Sequence, residues 1–150
     1  MNKPTILIIA ILASAISCKK KNNVNSDPIP NVPVSVTINI ALPAYSQLQQ
    51  QGTFAYVDGG VKGIVIVHHT DDQFYALDRC CSYQPSNSCS KIEVDSNFTV
   101  FRCGESKVTG FQKCCDSKFW MDGSVFIGPA SFGLKHYQVI QSGNIIDIKN

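Results

Sequence analysis

The sequence predicts an all-β domain, an antiparallel sandwich or barrel. Three observations carry this reading. The β-rich runs are many and short, and Gly-, Asp- and Asn-bearing turn signals separate them at close spacing. Beyond the N-terminal apolar run, only Ala44–Gln51 offers a candidate helical period. Two connections carry vicinal cysteines, Arg79–Cys89 and the stretch Gln112–Ala130, and each follows a strand-like run. One site at the tip of the scaffold is therefore expected.

The first element is not part of that scaffold. Residues 1–18 read as an export signal, with Lys3 in a short positive region, an apolar and small-residue run from Ile6 to Ile16, then Ser17 and Cys18. The run is too short to span a bilayer as a helix, so a cleaved signal is the expectation. Small residues just before a cysteine also resemble the lipobox of bacterial lipoproteins, which implies lipidation at Cys18 and attachment to a membrane of the bacterial cell envelope. Residues 19–33 follow as a flexible tether. Lys19, Lys20 and Lys21 lead into Asn, Ser and Asp, and Pro28, Pro30 and Pro33 favour an extended spacer with little to bury.

Residues 34–150 form one β domain. Val34–Ile40 alternates strictly, with Val34, Val36, Ile38 and Ile40 on one face, as a half-buried strand does. Phe54–Asp58 and Gly63–His68 flank Gly59-Gly60 and read as a hairpin. Asp71-Asp72 turns the chain into Phe74–Asp78, which delivers the first cysteine loop. Lys91–Val94 and Phe98–Cys103 form short strands around Asp95–Asn97. Phe119–Met121 and Ser124–Ile127 flank Asp122-Gly123, a dipeptide favoured in type I′ turns. Leu134–Ile140 and Ile145–Ile148 close the chain around Ser142–Asn144.

Charge excludes one function class. The formal net charge is +2, but after Pro33 there are 9 basic and 10 acidic residues. A near-neutral domain lacks the electrostatic footprint of a nucleic-acid binder, so no nucleic-acid partner is expected. With Cys18 set aside, six cysteines remain: Cys80, Cys81, Cys89, Cys103, Cys114 and Cys115. An even count in an exported domain points to disulfides, with a connectivity that the count does not reveal.

The run Phe74-Tyr-Ala-Leu-Asp-Arg-Cys-Cys-Ser-Tyr83, followed by Cys114-Cys-Asp-Ser-Lys-Phe119, Asp122-Gly123, Gly128-Pro-Ala130, Leu134 and Tyr137, resembles a Rieske iron–sulfur domain. The resemblance implies a Rieske-like antiparallel sandwich or barrel with two cysteine-bearing loops at one tip. In that family a [2Fe–2S] cluster is held by two cysteines on one iron and two histidines on the other. Matched residue by residue, the first loop's cysteine falls on Cys81 and its histidine on Tyr83. The second loop's cysteine falls on Gln112 and its histidine on Cys115, and Asp116 stands where the family has glycine. The ligand set is degenerate. His68, His69 and His136 lie far from both motif loops and read as surface or hydrogen-bonded residues.

Three function classes follow. The first is a non-enzymatic, disulfide-stapled lipoprotein without a cofactor. There the resemblance implies a bond between Cys81 and Cys115 where the metal is lost, and a bond from Cys114, the family's loop-joining cysteine, to Cys89; Cys80 and Cys103 remain as the third pair. The second class is an electron carrier that keeps a [2Fe–2S] cluster on Cys81 and Cys115, helped by Cys80 or Cys114, and serves an envelope redox protein. The third is a thiol–disulfide enzyme using Cys114-Cys115, against which stands the lack of a Cys-X-X-Cys spacing or a helix N-terminus. No residue is expected to be catalytic.

Overall fold

The structure is a computed structural model that describes residues 27–150. The signal run of residues 1–18, the Cys18 anchor and the lysines at 19–21 lie outside the described residues. Ten strands form, in the order β1 (Ser35–Asn39), β2 (Thr53–Val57), β3 (Ile64–His68), β4 (Phe74–Asp78), β5 (Ile92–Val94), β6 (Val100–Lys107), β7 (Gly110–Trp120), β8 (Val125–Ile127), β9 (His136–Ser142) and β10 (Ile145–Lys149). The candidate helix at 44–51 is a single 3₁₀ turn, Ser46–Gln49. Its one buried side chain, Leu48, cannot supply the apolar stripe that holds a longer helix to a core.

The strands make two antiparallel sheets, one of six strands ordered β1-β10-β9-β4-β3-β2 and one of four ordered β5-β6-β7-β8. β3 explains why they form one domain. Its Gly-Ile-Val-Ile-Val run does not alternate, and all five of its strand residues are buried. Ile64 and Ile66 enter one core with Ile38, Leu48, Ala76 and Ile146. Val65 and Val67 enter a second core with Leu77, Ile92, Phe101, Phe119 and Leu134. A strand apolar on both faces must be covered on both, and the two cores do so.

Two local features differ from the sequence reading. The Asp122-Gly123 turn is a three-residue loop. The Gly123 amide donates to the Trp120 carbonyl (2.9 Å), and the Trp120 amide donates to the Ser124 carbonyl (2.9 Å). Only Gly123 has positive φ (+85°) in the turn, so the left-handed residue follows an ordinary type I turn, where type I′ needs two such residues. The second difference concerns the C-terminal end of the expected tether. Ile29 is 2% exposed, and the ammonium of the buried Lys135 donates to the Pro30 carbonyl (3.1 Å) and to Asn31 Oδ1 (2.8 Å). Asn150 fastens the same stretch by accepting from the Val34 amide (3.0 Å) and donating to the Val32 carbonyl (2.6 Å). One isoleucine and a few backbone groups dock this stretch against the domain despite its three prolines.

Candidate thiol site

The first cysteine loop leaves β4 at Asp78, a fully buried carboxylate. Asp78 accepts from the amides of Val61 (2.6 Å), Lys62 (3.3 Å) and Cys80 (2.7 Å) and from the Tyr137 hydroxyl (2.6 Å). A buried charge that gathers this many donors is compensated and fixes their positions. Here it ties the β2–β3 loop, the start of the cysteine loop and β9 together. Burial and the bond to Asp78 both push the Tyr137 phenol well above its usual pKa. The loop closes on itself through Ser90, whose hydroxyl donates to the carbonyls of Tyr83 (2.9 Å) and Cys81 (3.3 Å). The Cys81 amide donates to the Ser90 carbonyl (3.0 Å), and Ile92 and Arg79 continue the clasp (2.7 Å).

The second cysteine loop is built into β7 as a bulge. Arg102 pairs with Lys118 and Gly104 with Lys113, so Cys103 alone stands opposite the four residues Cys114–Ser117. Surplus residues on one strand break the ladder and re-aim side chains. Gly104 (φ +145°) makes this possible, since a Cβ there would collide with the Gln112 carbonyl oxygen. Gly128, from the Gly-Pro-Ala segment, lets the next strand pass closely, since its Cβ would stand 2.5 Å from the Asp116 carbonyl oxygen. Ser117 Oγ then accepts from the Ala130 amide (3.1 Å), fastening the base of the bulge.

Alternation along the backbone sends vicinal cysteines to opposite sides, and here it sorts them by role. Cys114 is bonded to Cys89, with Cα atoms 5.5 Å apart, which joins the two cysteine loops covalently. Cys115 points the other way and lies with Cys81 and Cys103, all three sulfurs within 4.8 Å of one another. Cys81 and Cys115 are 3.9 Å apart as free thiols, not bonded as expected. The pairing of Cys80 with Cys103 is also not formed. The Cys80 thiol turns to the Pro85 carbonyl (3.5 Å), and burial pushes it up to about 11. Cys103 takes a place in the thiol group that the sequence reading did not assign to it. The only hint was its position two residues after Phe101, on the same face of a strand. That spacing shows burial, but the four-for-one register beside it cannot be read locally.

Cys81 and Cys103 are both buried, and the apposition of their thiols divides their acidity. The thiol of Cys103 supports a charge on Cys81, and the Tyr83 amide adds to this. Together they outweigh burial and bring Cys81 down to about 6. Cys103, set against Cys81 and buried, is held far above the usual thiol range. Cys115 is half-buried and accepts from the Ser117 amide at 3.5 Å.

The remaining family positions offer neither thiolate nor imidazole. Tyr83 is half-buried and packs against the second core. Gln112 lies exposed on β7, paired with Glu105, and its amide reaches only Thr109 (3.4 Å). Asp116 pairs on the surface with Lys113 (2.7 Å). Among the described residues, the group of converging ligand atoms contains no histidine. His68 is engaged by the Leu48 carbonyl (2.8 Å) and Asp72 (2.9 Å).

Among solved structures the chain is similar to the cyanobacterial plasma membrane Rieske protein PetC3 from Synechocystis PCC 6803. That match has a TM-score of 0.55 at 22% identity and covers 77% of this chain and 99% of the other. The fold is Rieske-like. The chain is also similar to the ferredoxin of carbazole 1,9a-dioxygenase from Nocardioides aromaticivorans IC177, at 16% identity and a TM-score of 0.46, covering 79% of this chain and 97% of the other. No family model and no curated protein matches the sequence.

The donor set does not fit the family's [2Fe–2S] cluster. Such a cluster needs two donors on each of two irons. Here three sulfurs crowd one point, while the two positions that should supply the remaining donors carry Tyr83 and Gln112, a phenol and a carboxamide in place of the family's imidazole and thiolate.

Proposed function

We propose that the protein is a non-enzymatic lipoprotein of the bacterial cell envelope, held to the membrane through Cys18, whose Rieske-like domain has given up the [2Fe–2S] cluster. In this reading the Cys89–Cys114 bond, made by the family's loop-joining cysteine, holds the two loops together without metal ligation. The observation that carries it is Gln112, exposed on β7 and turned to Thr109 where a cluster ligand would stand. The test is iron and acid-labile sulfide analysis, with a visible absorption scan, after anaerobic purification. A colourless protein without stoichiometric iron is expected. About two irons and two sulfides per chain would overturn the reading.

A second reading draws on the three apposed thiols. It is an electron-transfer protein that keeps a [2Fe–2S] cluster on an altered, cysteine-rich set and exchanges electrons with an envelope redox protein. It requires a fourth donor to join Cys81, Cys103 and Cys115, and among the described residues no further histidine, cysteine, aspartate or glutamate lies in that group.

A further inference from the structure

We propose that Cys81, Cys103 and Cys115 form a three-thiolate site for a single soft metal ion, zinc(II) or copper(I), in place of the family's cluster. The inference rests on the cluster-free reading and adds a ligand to it.

Spacing is the first argument. Sulfurs bound to one tetrahedral ion at about 2.3 Å lie roughly 3.8 Å from one another. Cys81 and Cys115 are 3.9 Å apart, and all three sulfurs lie within 4.8 Å. A single ion at their centre requires only small side-chain adjustments. Thiolates select soft ions of this kind over hard ones.

Sulfur accounting is the second argument. Cys89 and Cys114 are bonded to each other, and Cys80 is turned to the Pro85 carbonyl. Three thiols therefore remain in one group, and disulfide formation among three always leaves one over. One ion takes up all three.

Support around the sulfurs is the third. Each cysteine sits on a separately fastened piece of backbone: Cys81 in the loop clasped by Ser90, Cys103 in β6, and Cys115 in the bulge fixed by Ser117 and Ala130. The Ser117 amide already donates to Cys115 Sγ, the kind of outer hydrogen bond that orients a ligating thiolate. Cys81 and Cys103 are 0% and 1% exposed, whereas Cys115 borders a shallow opening with Phe111 and Lys118. That opening gives an ion its entry and leaves zinc a fourth position for solvent. Bound as three thiolates, the site carries one surplus negative charge with zinc. Arg102 and Lys118 line the same opening and offset it, while Lys113 there is paired with Asp116.

The test uses the purified protein, reduced and stripped of metal under anaerobic conditions, then titrated with zinc(II) or with copper(I). One ion per chain is expected, and X-ray absorption should find three sulfur neighbours at about 2.3 Å. An added oxygen or nitrogen neighbour identifies the zinc form, and its absence the copper(I) form. Cys103→Ser should weaken binding about 100-fold or more, and Cys115→Ser, at the half-buried edge of the second core, should do the same. Cys80→Ser should bind as the parent does. Failure of either ion to bind, or binding unchanged in Cys115→Ser, would overturn the site while leaving the cluster-free reading in place. Two irons and two sulfides per chain in the protein as isolated would overturn both.

Discussion

The hydroxyl of Tyr137 donates to the carboxylate of Asp78 at 2.6 Å, at the point where β4 passes the chain to the first cysteine loop. Asp78 is fully buried and also holds three backbone amides, so it joins β9 and the β2–β3 loop to the residues that present Cys81. Asp78→Ala would leave those donors buried without partners, at about 1–3 kcal/mol each. A loss of at least about 3 kcal/mol in stability is expected by chemical denaturation. Tyr137→Phe leaves the three amide contacts intact and should cost only about 1–2 kcal/mol. Equal losses for the two variants would show that the carboxylate does not organise the loop.

The Cys89–Cys114 bond spans a sequence separation of 25 residues. On chain-entropy grounds a crosslink of that length contributes roughly 3.5 kcal/mol. Cys89→Ala and Cys114→Ala should each lower the unfolding midpoint under oxidising conditions, and the double variant should fall no further than either single one. Partners in one bond act as a unit, so their effects do not sum. Additive losses would show that the bond is not formed.

Asp95 closes the turn between β5 and β6 by accepting from the amides of Thr99 (2.8 Å) and Val100 (3.1 Å). Partial burial works against its charge, but the bonds from Thr99, Val100 and Asn97 win and hold the carboxyl below its usual range. A depressed carboxyl stabilises the fold fully above the unfolded-state value, about 3.9, and loses that contribution as pH falls through the lower folded value. Asp95→Ala should therefore unfold at a lower temperature than the parent at pH 7, with the gap closing below about pH 4. A gap that persists unchanged into strong acid would count against the charge-assisted turn.

Membrane attachment is tested by Cys18→Ser. The parent is expected in the detergent-soluble membrane fraction, since the small residues before Cys18 and the polar stretch after it suit a lipid-anchored protein. The variant should move to the soluble envelope fraction. Unchanged fractionation would remove the anchor.

Sequence alone was enough for the scaffold wherever the determining physics is local. Alternation over Val34–Ile40 yielded β1, the unbroken apolar run before His68 yielded a strand, and the glycine-bearing dipeptides marked the hairpins. These signals persist because side-chain period and left-handed turn positions are properties of a few neighbouring residues. The Rieske resemblance rested on the same local motifs, and the fold agrees with it.

What only the tertiary structure decided is where the four free sulfurs go. Six cysteines after the tether carry no connectivity in their spacing. The resemblance already implied the bond from Cys114 to Cys89, whereas the diversion of Cys80 to the Pro85 carbonyl and the gathering of Cys103 with Cys81 and Cys115 depend on long-range register. Cys103 in particular meets Cys115 because four residues of β7 bulge opposite a single residue of β6. That register is set jointly by Gly104, by the close passage of Gly128 and by Ser117 holding Ala130, residues far apart in the chain. One residue more or less in the bulge would turn Cys115 away from the group, because adjacent side chains face opposite sides of a strand.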